Sequence, residues 1–271
     1  QGLGVGNAGS AYVSDFSGQL TLCKNLVSYA STVNPVSLDL VYNSSYAARF
    51  GETNYDVGGW LGLGMHVGAG AQLNIMQQIV KEELQNDAES DKKTTYLKYT
   101  DGDGTIHYFA KDPSKNDSYY YDEDGLGLKI NEYQTGCYKI SDDKDNEMYF
   151  VNGLLTTITD SNDNEIQIHY THSDGTSASN GYPNASGDRI SKIVQKNNGG
   201  SAITVATFGY SSDNWLKTVT DAAGNVYNLA YSSGKLSQIS RGSTVIAQYG
   251  AASTRMSYAY DAEAQYGVAF T

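Results

Sequence analysis

Proline is nearly missing from this 271-residue sequence, with three residues, and cysteine is rarer still, with two. So little proline excludes a proline-rich linker protein, whose chain is held extended by that residue. Cys23 and Cys137 form no C-x-x-C pair, which excludes a zinc or thioredoxin-like motif. We expect two buried free thiols, with a single disulfide as the alternative if the two meet in space. Basic residues are short as well: 18 Lys and Arg face 30 Asp and Glu, for a formal net charge of -12. A nucleic-acid partner needs clustered cations along its phosphates, so none is expected, and anionic membrane surfaces are disfavoured for the same reason. No apolar run approaches the ~20 residues of a membrane helix, so membrane insertion is not expected. The start, Gln1 to Asn7, has neither the basic nor the apolar region of a signal peptide, and there is no initiator Met. The chain reads as a piece of something longer.

Tyrosine and glycine fill the gap, with 23 Tyr against 6 Phe and 2 Trp, and 29 Gly. Tyrosine suits half-buried sheet positions, with its ring on a neighbour and its hydroxyl in water. Val36, Leu38, Leu40 and Tyr42 alternate at period 2, as one face of a strand. Glycines crowd residues 51–70 around Trp60, the expected anchor of that stretch. Residues 72–90 fit either a helix face (Leu73, Met76, Val80, Leu84) or a strand face (Leu73, Ile75, Gln77, Ile79). We favour a strand to about residue 80, then a charged excursion from Lys81 to Lys93 outside the core. Hairpins follow at Asp101-Gly-Asp-Gly104 and at Asp142 to Asn146, where Asp and Gly are strong turn signals.

From Gly153 the hairpins become regular. Leu155-x-x-Ile158-Thr-Asp160-x-x-Asp163-Asn164 ends at Tyr170, and Leu216-x-x-Val219-Thr-Asp221-x-x-Gly224-Asn225 ends at Tyr231. Four strand starts share the form aliphatic-x-x-Ile/Val: Leu155/Ile158, Ile190/Ile193, Leu216/Val219 and Leu236/Ile239. Four closing tyrosines follow them, Tyr170, Tyr210, Tyr231 and Tyr249. Repeats of this kind must stack to bury their apolar faces, which makes a wall before it makes a pocket. The polar insert Ser173–Asp188 reads as an exposed, mobile tip.

These residues resemble the Rhs/YD-repeat family. Phe208-Gly-Tyr210-Ser-Ser-Asp-Asn214-Trp-Leu216 is similar to its Tyr-x-Tyr-Asp-x-x-Gly-Arg-Leu pattern, and Tyr258-Ala-Tyr260-Asp261 to the first half of it. Gly153-x-Leu155 and Gly234-x-Leu236 fit its strand start, and the Gly59-Trp60 pair and Asp101 to Phe109 look like the stretch that precedes the repeats. Two departures stand out: Asn214-Trp215 replaces Gly-Arg, and Glu263-Ala264 follows Tyr260. The resemblance implies an all-β fold of consecutive antiparallel hairpins forming a spiralling sheet, a partial β-shell. In complete Rhs proteins, the toxin-complex C component and teneurins, such a sheet closes into a hollow shell, which in the bacterial toxins encloses a C-terminal toxin domain.

Catalytic chemistry finds little support in the residues. His66, His107, His169 and His172 form no H-x-x-x-H or H-E-x-x-H pattern. No Gly-x-Ser-x-Gly elbow holds a nucleophile, and Gly2-x-Gly4-x-Gly6 lacks the strand and helix of a nucleotide loop. Asp122-Glu-Asp124, Asp142-Asp143 and Asp160/Asp163/Glu165 could pair as glycosidase carboxylates, but each sits where a turn is expected. No cofactor is expected. Calcium is the alternative for Asp160-x-Asn162-x-Asn164 and Asp101-x-Asp103, which carry alternating oxygens without the glycine and distant Glu of an EF-hand loop. Trp60, Trp215 and the triplet Tyr119-Tyr120-Tyr121 are candidates for stacking on a sugar, with the triplet as the glycan-binding expectation. Alternation sends Tyr120 to one face and its neighbours to the other.

Three regions are expected: a flexible lead-in over 1–20, which could instead be a first edge strand, a β region over 21–152, and hairpin repeats over 153–271. The expected function is a non-enzymatic structural segment of a secreted or cell-surface protein, scaffolding other parts of its parent chain or a C-terminal cargo. The alternative is an adhesin-like module that binds a surface glycan or protein.

Overall fold

The computed structural model describes residues 2–15, 17–45, 65, 67–68, 70–86, 89–185, 187–253 and 255–270. Trp60 and the Gly59-Trp60 pair lie outside the described residues. Five strands, β1 (Gly2–Gly4), β2 (Ser10–Val13), β3 (Leu20–Tyr29), β4 (Val36–Asn43) and β5 (Ala71–Leu73), form an N-terminal sheet in that order. β4 buries Val36, Leu38, Leu40 and Tyr42, as its alternation requires. The stretch read as a lead-in supplies β1, an edge strand, and β2.

The next eight strands are β6 (Gln78–Asn86), β7 (Glu89–Thr100), β8 (Ile106–Ala110), β9 (Tyr119–Asp122), β10 (Lys129–Gln134), β11 (Cys137–Ser141), β12 (Glu147–Val151) and β13 (Leu154–Thr159). Each pairs antiparallel with the next, and β13 returns to β6 through Leu154 and Gln78. Two backbone bonds seal the seam, Ile79 N–H to Gly153 O at 2.8 Å and Leu155 N–H to Gln77 O at 3.1 Å. Side chains fill the closed barrel, as they do in rings of this strand number. Tyr99 meets Phe109 and Phe150 edge-on at ring separations of 6.4 and 6.0 Å, beside the fully buried Leu97, Ile130 and Ile140. The stretch left between helix and strand is strand: β6 runs on to Asn86, and the charged excursion is the outer half of the β6–β7 hairpin. Ion pairs Lys98–Glu82 and Lys93–Glu83 bridge that hairpin on its surface.

Nine further strands make an antiparallel meander. They are β14 (Glu165–Thr171), β15 (Arg189–Lys196), β16 (Ala202–Tyr210), β17 (Leu216–Asp221), β18 (Val226–Ser232), β19 (Lys235–Arg241), β20 (Thr244–Ala252), β21 (Arg255–Asp261) and β22 (Tyr266–Ala269). The meander leaves the barrel at β13, whose first residue pairs with β6 while Thr157–Thr159 pair with β14. All-β is therefore correct, but a spiralling sheet is not what the hairpins form. The first eight strands after the N-terminal sheet close on themselves, because Leu154 and Gln78 come into register.

The N-terminal sheet packs on the meander. Tyr249 Oη donates to Ala8 O at 3.0 Å, Met256 N–H to Tyr42 Oη at 2.9 Å and Asn7 N–H to Asp261 Oδ2 at 2.7 Å. One apolar core runs through sheet, barrel and meander. Both cysteines are free thiols: Cys137 is buried as expected, whereas Cys23 in β3 is only half-buried.

Candidate functional site

The closing tyrosines act on the backbone. Tyr170, Tyr210 and Tyr231 donate to the carbonyls of Leu155, Ile190 and Leu216 at 2.7, 2.6 and 2.7 Å. Each of these acceptors is the aliphatic strand start of the same unit. Burial pushes all three phenols well above the ordinary tyrosine range, so each stays a donor. Tyr249 breaks the pattern and reaches the N-terminal sheet instead of Leu236. Leu155, Leu216, Val219 and Ile239 are fully buried, while Ile158 and Leu236 pack half-buried against the core.

A one-residue bulge follows each of the four aliphatic starts, at Thr156, Ser191, Lys217 and Ser237, and a fifth follows Met256, at Ser257. The hydroxyls of Thr156, Ser191 and Ser237 donate across the hairpin to the carbonyls of Tyr149, His169 and Ala230, at 3.0, 3.1 and 3.1 Å. Reasoning from the sequence missed this part of the unit, although a Ser or Thr right after the aliphatic residue signals it. Lys217 is the one of these five without a hydroxyl, and the next residue, Thr218, pairs with Gly209, where a side chain would collide with the Thr218 hydroxyl.

The acidic turns are equally committed to the fold. Asp160 Oδ1 accepts from the N–H groups of Asn162 and Asn164 at 2.8 and 3.0 Å, and its Oδ2 from Asn164 Nδ2 at 2.8 Å. Asp221 holds Ala223, Asn225 and the Asn225 amide in the same way. Asp142 does so with Lys144 and Asn146, a third D-x-x-x-N turn that lies in the barrel. Asn164 is buried because Asn198 N–H docks on its Oδ1. Hydrogen bonds from the paired Asn side chain hold Asp160 and Asp142 below the usual carboxylate range. For calcium, these carboxylates would have to give up bonds that close their hairpins. Among the described residues no three His, Cys, Asp or Glu side chains are grouped as a cation would need.

Two imidazoles meet carboxylates. His107 lies between Asp101 Oδ2 at 3.2 Å and Asp124 Oδ2 at 3.0 Å, its side chain 12% exposed. Burial opposes the charged ring, but the bonds to Asp124 and Asp101 outweigh it and raise its pKa. Burial, with Asp103 alongside, pushes Asp101 up to about 6. His172 Nδ1 lies 2.7 Å from the buried Asp188, which also accepts from the N–H groups of Asn184 and Ala185. That clasp closes the Ser173–Asp188 insert, which Asn152 also ties down through Pro183 O at 2.7 Å, so the expected tip is anchored. Neither imidazole hydrogen-bonds a serine, threonine or cysteine side chain among the described residues. His169 faces Gln167 and is kept below the usual histidine range by burial and Lys192.

The tyrosine triplet does not form one surface. Tyr120 is buried in the core at 6% exposure, as alternation demands. Tyr119 and Tyr121 face outward, but Lys129 lies over one ring at 4.8 Å and Lys115 over the other at 3.3 Å. The aromatic surface that does open is elsewhere. Trp215 and Tyr231 meet at 4.6 Å and 47°, and with Ser211, Lys217, Leu229 and Ser233 they line a groove of about 390 Å³. Tyr258 is exposed, Tyr260 half-buried, and Asp261 accepts from the N–H groups of Ala264, Glu263 and Asn7.

These features define a class: an all-β barrel-and-meander protein whose turn aspartates and closing tyrosines are engaged in its own turns and strands. A family model described as Protein of unknown function (DUF3298) matches residues 67–140, from just before β5 to within β11. That is well short of half the chain. No curated protein matches. The Rhs/YD-repeat resemblance is therefore corrected: the matched family is a different one, and its match lies over β5 to β11 instead of the tyrosine hairpins. The physical source of the resemblance is local. A bulged hairpin with a tyrosine reaching a freed carbonyl and an Asp-bonded turn puts aliphatic, Asp, Asn and Tyr at those spacings in any ancestry.

Proposed function

We propose that this chain is a non-enzymatic structural β-segment of a secreted or cell-surface protein, holding and presenting other parts of the same protein. The enclosure of a toxin rested on the family resemblance alone and is not carried forward. One observation carries the proposal. The residues with the strongest sequence pattern, Asp160, Asn164, Tyr170, Tyr210, Asp221, Asn225 and Tyr231, spend their polar atoms on neighbouring backbone and turn partners. A surplus of acidic side chains keeps such a sheet protein soluble. A panel of esterase, glycosidase and peptidase substrates tests the reading, with His107→Gln and His172→Gln variants alongside. No turnover is expected; turnover lost in either folded variant would overturn it.

The groove at Trp215 favours a second reading, a carbohydrate- or protein-binding module built on the same scaffold. Fold does not fix function, and a wall can carry a binding site.

A further inference from the structure

One hairpin differs at two positions from most of the others. A basic residue precedes Ile190, Leu236 and Met256, at Arg189, Lys235 and Arg255, while Leu154 precedes Leu155, and the Arg189 guanidinium lies 4.8 Å over the Tyr210 ring. At the third unit that place is taken by Trp215, which covers Tyr231 instead. The bulge residue carries a hydroxyl at Thr156, Ser191, Ser237 and Ser257, but Lys217 stands there in the same third unit. Thr156, Ser191 and Ser237 donate across the hairpin to a carbonyl, and among the described residues the Lys217 ammonium makes no such bond. Trp215 offsets its departure by packing on Tyr231, but Lys217 replaces a bonded hydroxyl with an exposed cation, and a local rule broken in this way marks a position kept for another purpose.

The two departures meet in the groove. Trp215 and Tyr231 supply aromatic lining, Leu229 apolar lining, and Ser211 and Ser233 hydroxyl groups, the first of which accepts from the Trp215 backbone N–H at 3.1 Å. Lys217 is exposed and, among the described residues, has no carboxylate within ion-pair distance, in a chain of net charge -12. An indole stacks on the C–H face of a pyranose, hydroxyls exchange hydrogen bonds with its ring substituents, and an unpaired ammonium selects an anion. We propose that this groove binds a carboxylate-bearing pyranose, a uronic-acid unit of a glycan, with Lys217 as the specificity-determining residue. The inference rests on the binding-module reading and adds the charge of the sugar.

The test titrates the full chain with an oligogalacturonate and with the neutral galactose oligomer of equal length, by calorimetry and saturation-transfer NMR. Two variants, Lys217→Ser and Trp215→Arg, install side chains that other hairpins already carry at those positions, so both are expected to keep the fold, as checked by circular dichroism. Wild type is expected to bind the acidic oligomer more tightly than the neutral one. Lys217→Ser should weaken the acidic oligomer by about tenfold and leave the neutral one unchanged, while Trp215→Arg loses both. Equal binding of the two oligomers, or a Lys217→Ser variant that still prefers the acid, overturns the uronic-acid inference and leaves the binding module standing. No binding of either oligomer by folded wild type overturns both.

Discussion

Tyr170 shows most directly how single side chains hold this protein. Its ring is in the core and its hydroxyl is the donor to the buried carbonyl of Leu155 at 2.7 Å. Tyr170→Phe keeps the ring and strands that carbonyl, so a loss of about 1–2 kcal/mol is expected in urea denaturation. Tyr258 is the control. It is 43% exposed, and Tyr258→Phe should stay within about 0.5 kcal/mol of wild type. The turn carboxylates make a second prediction at this scale. Asp142 and Asp160 have depressed folded pKa values, so the stability they add is present above the unfolded carboxylate value and lost as pH falls through the folded one. An Asp142→Ala/Asp160→Ala double variant should be less stable than wild type at pH 7. The two should converge as the pH drops below about 4, because protonation then removes in wild type what the substitutions removed already. Denaturation midpoints read from pH 7 down to pH 2 check this, and a gap that persists at the acid end would assign the loss to something other than charge.

At the level of strands and turns, much of the molecule was legible in its sequence. Val36 to Leu40 alternates because one face is wet there, and Asp-bonded turns announce hairpins at Asp142, Asp160 and Asp221. The period of two gives strands and their faces, including the burial of Tyr120. Barrel closure was not legible, since it depends on Leu154 meeting Gln78, and nothing local in either residue encodes that pairing. The groove was half legible: Trp215 stood out as a departure, but its meeting with Tyr231 and Lys217 needed the hairpin's register. The seam also rests on the two-residue turn Asn152-Gly153, with φ of 51° and 75°. A Cβ on Gly153 would press into the Ile79 carbonyl, the partner side of the bonds that close the ring. Gly153→Ala should therefore cost more than the roughly 1–2 kcal/mol of a left-handed residue alone. Gly175→Ala, at a similar φ but in open space, should cost no more than that. Paired denaturation curves decide it, and equal losses would mean that the seam yields freely.

Over the whole molecule, long-range polar contacts join the parts, and one of them titrates near neutrality. The β7–β8 turn docks on the N-terminal sheet, where Gln72 Nε2 donates to the carbonyls of Asp101 and Gly102 at 3.1 and 2.9 Å and Asn43 Nδ2 to that of Asp103 at 3.0 Å. The same turn carries Asp101, which faces His107 and Asp103, and His107 reaches on to Asp124. Asp101 is raised to about 6 by burial and by Asp103, and His107 is raised by its two carboxylates against burial. Both groups thus bind their protons more tightly folded than unfolded. Their stabilising contribution is complete below the unfolded values and is lost as pH rises through about 6 and then through the raised value of His107. Asp103 is lowered by its bonds to Asp101 and Thr105 despite burial, so its contribution changes only in acid, outside this window. Urea midpoints of wild type should fall as pH rises from 5 to 8.5. An Asp101→Asn/His107→Gln variant should show a flatter profile, and hydrogen exchange in β4 and β5 should report the same change if the turn and the sheet open together. A wild-type midpoint that is level across that range, or a variant with the same slope, would place the titration outside this joint and leave the docking of the N-terminal sheet to its apolar core alone.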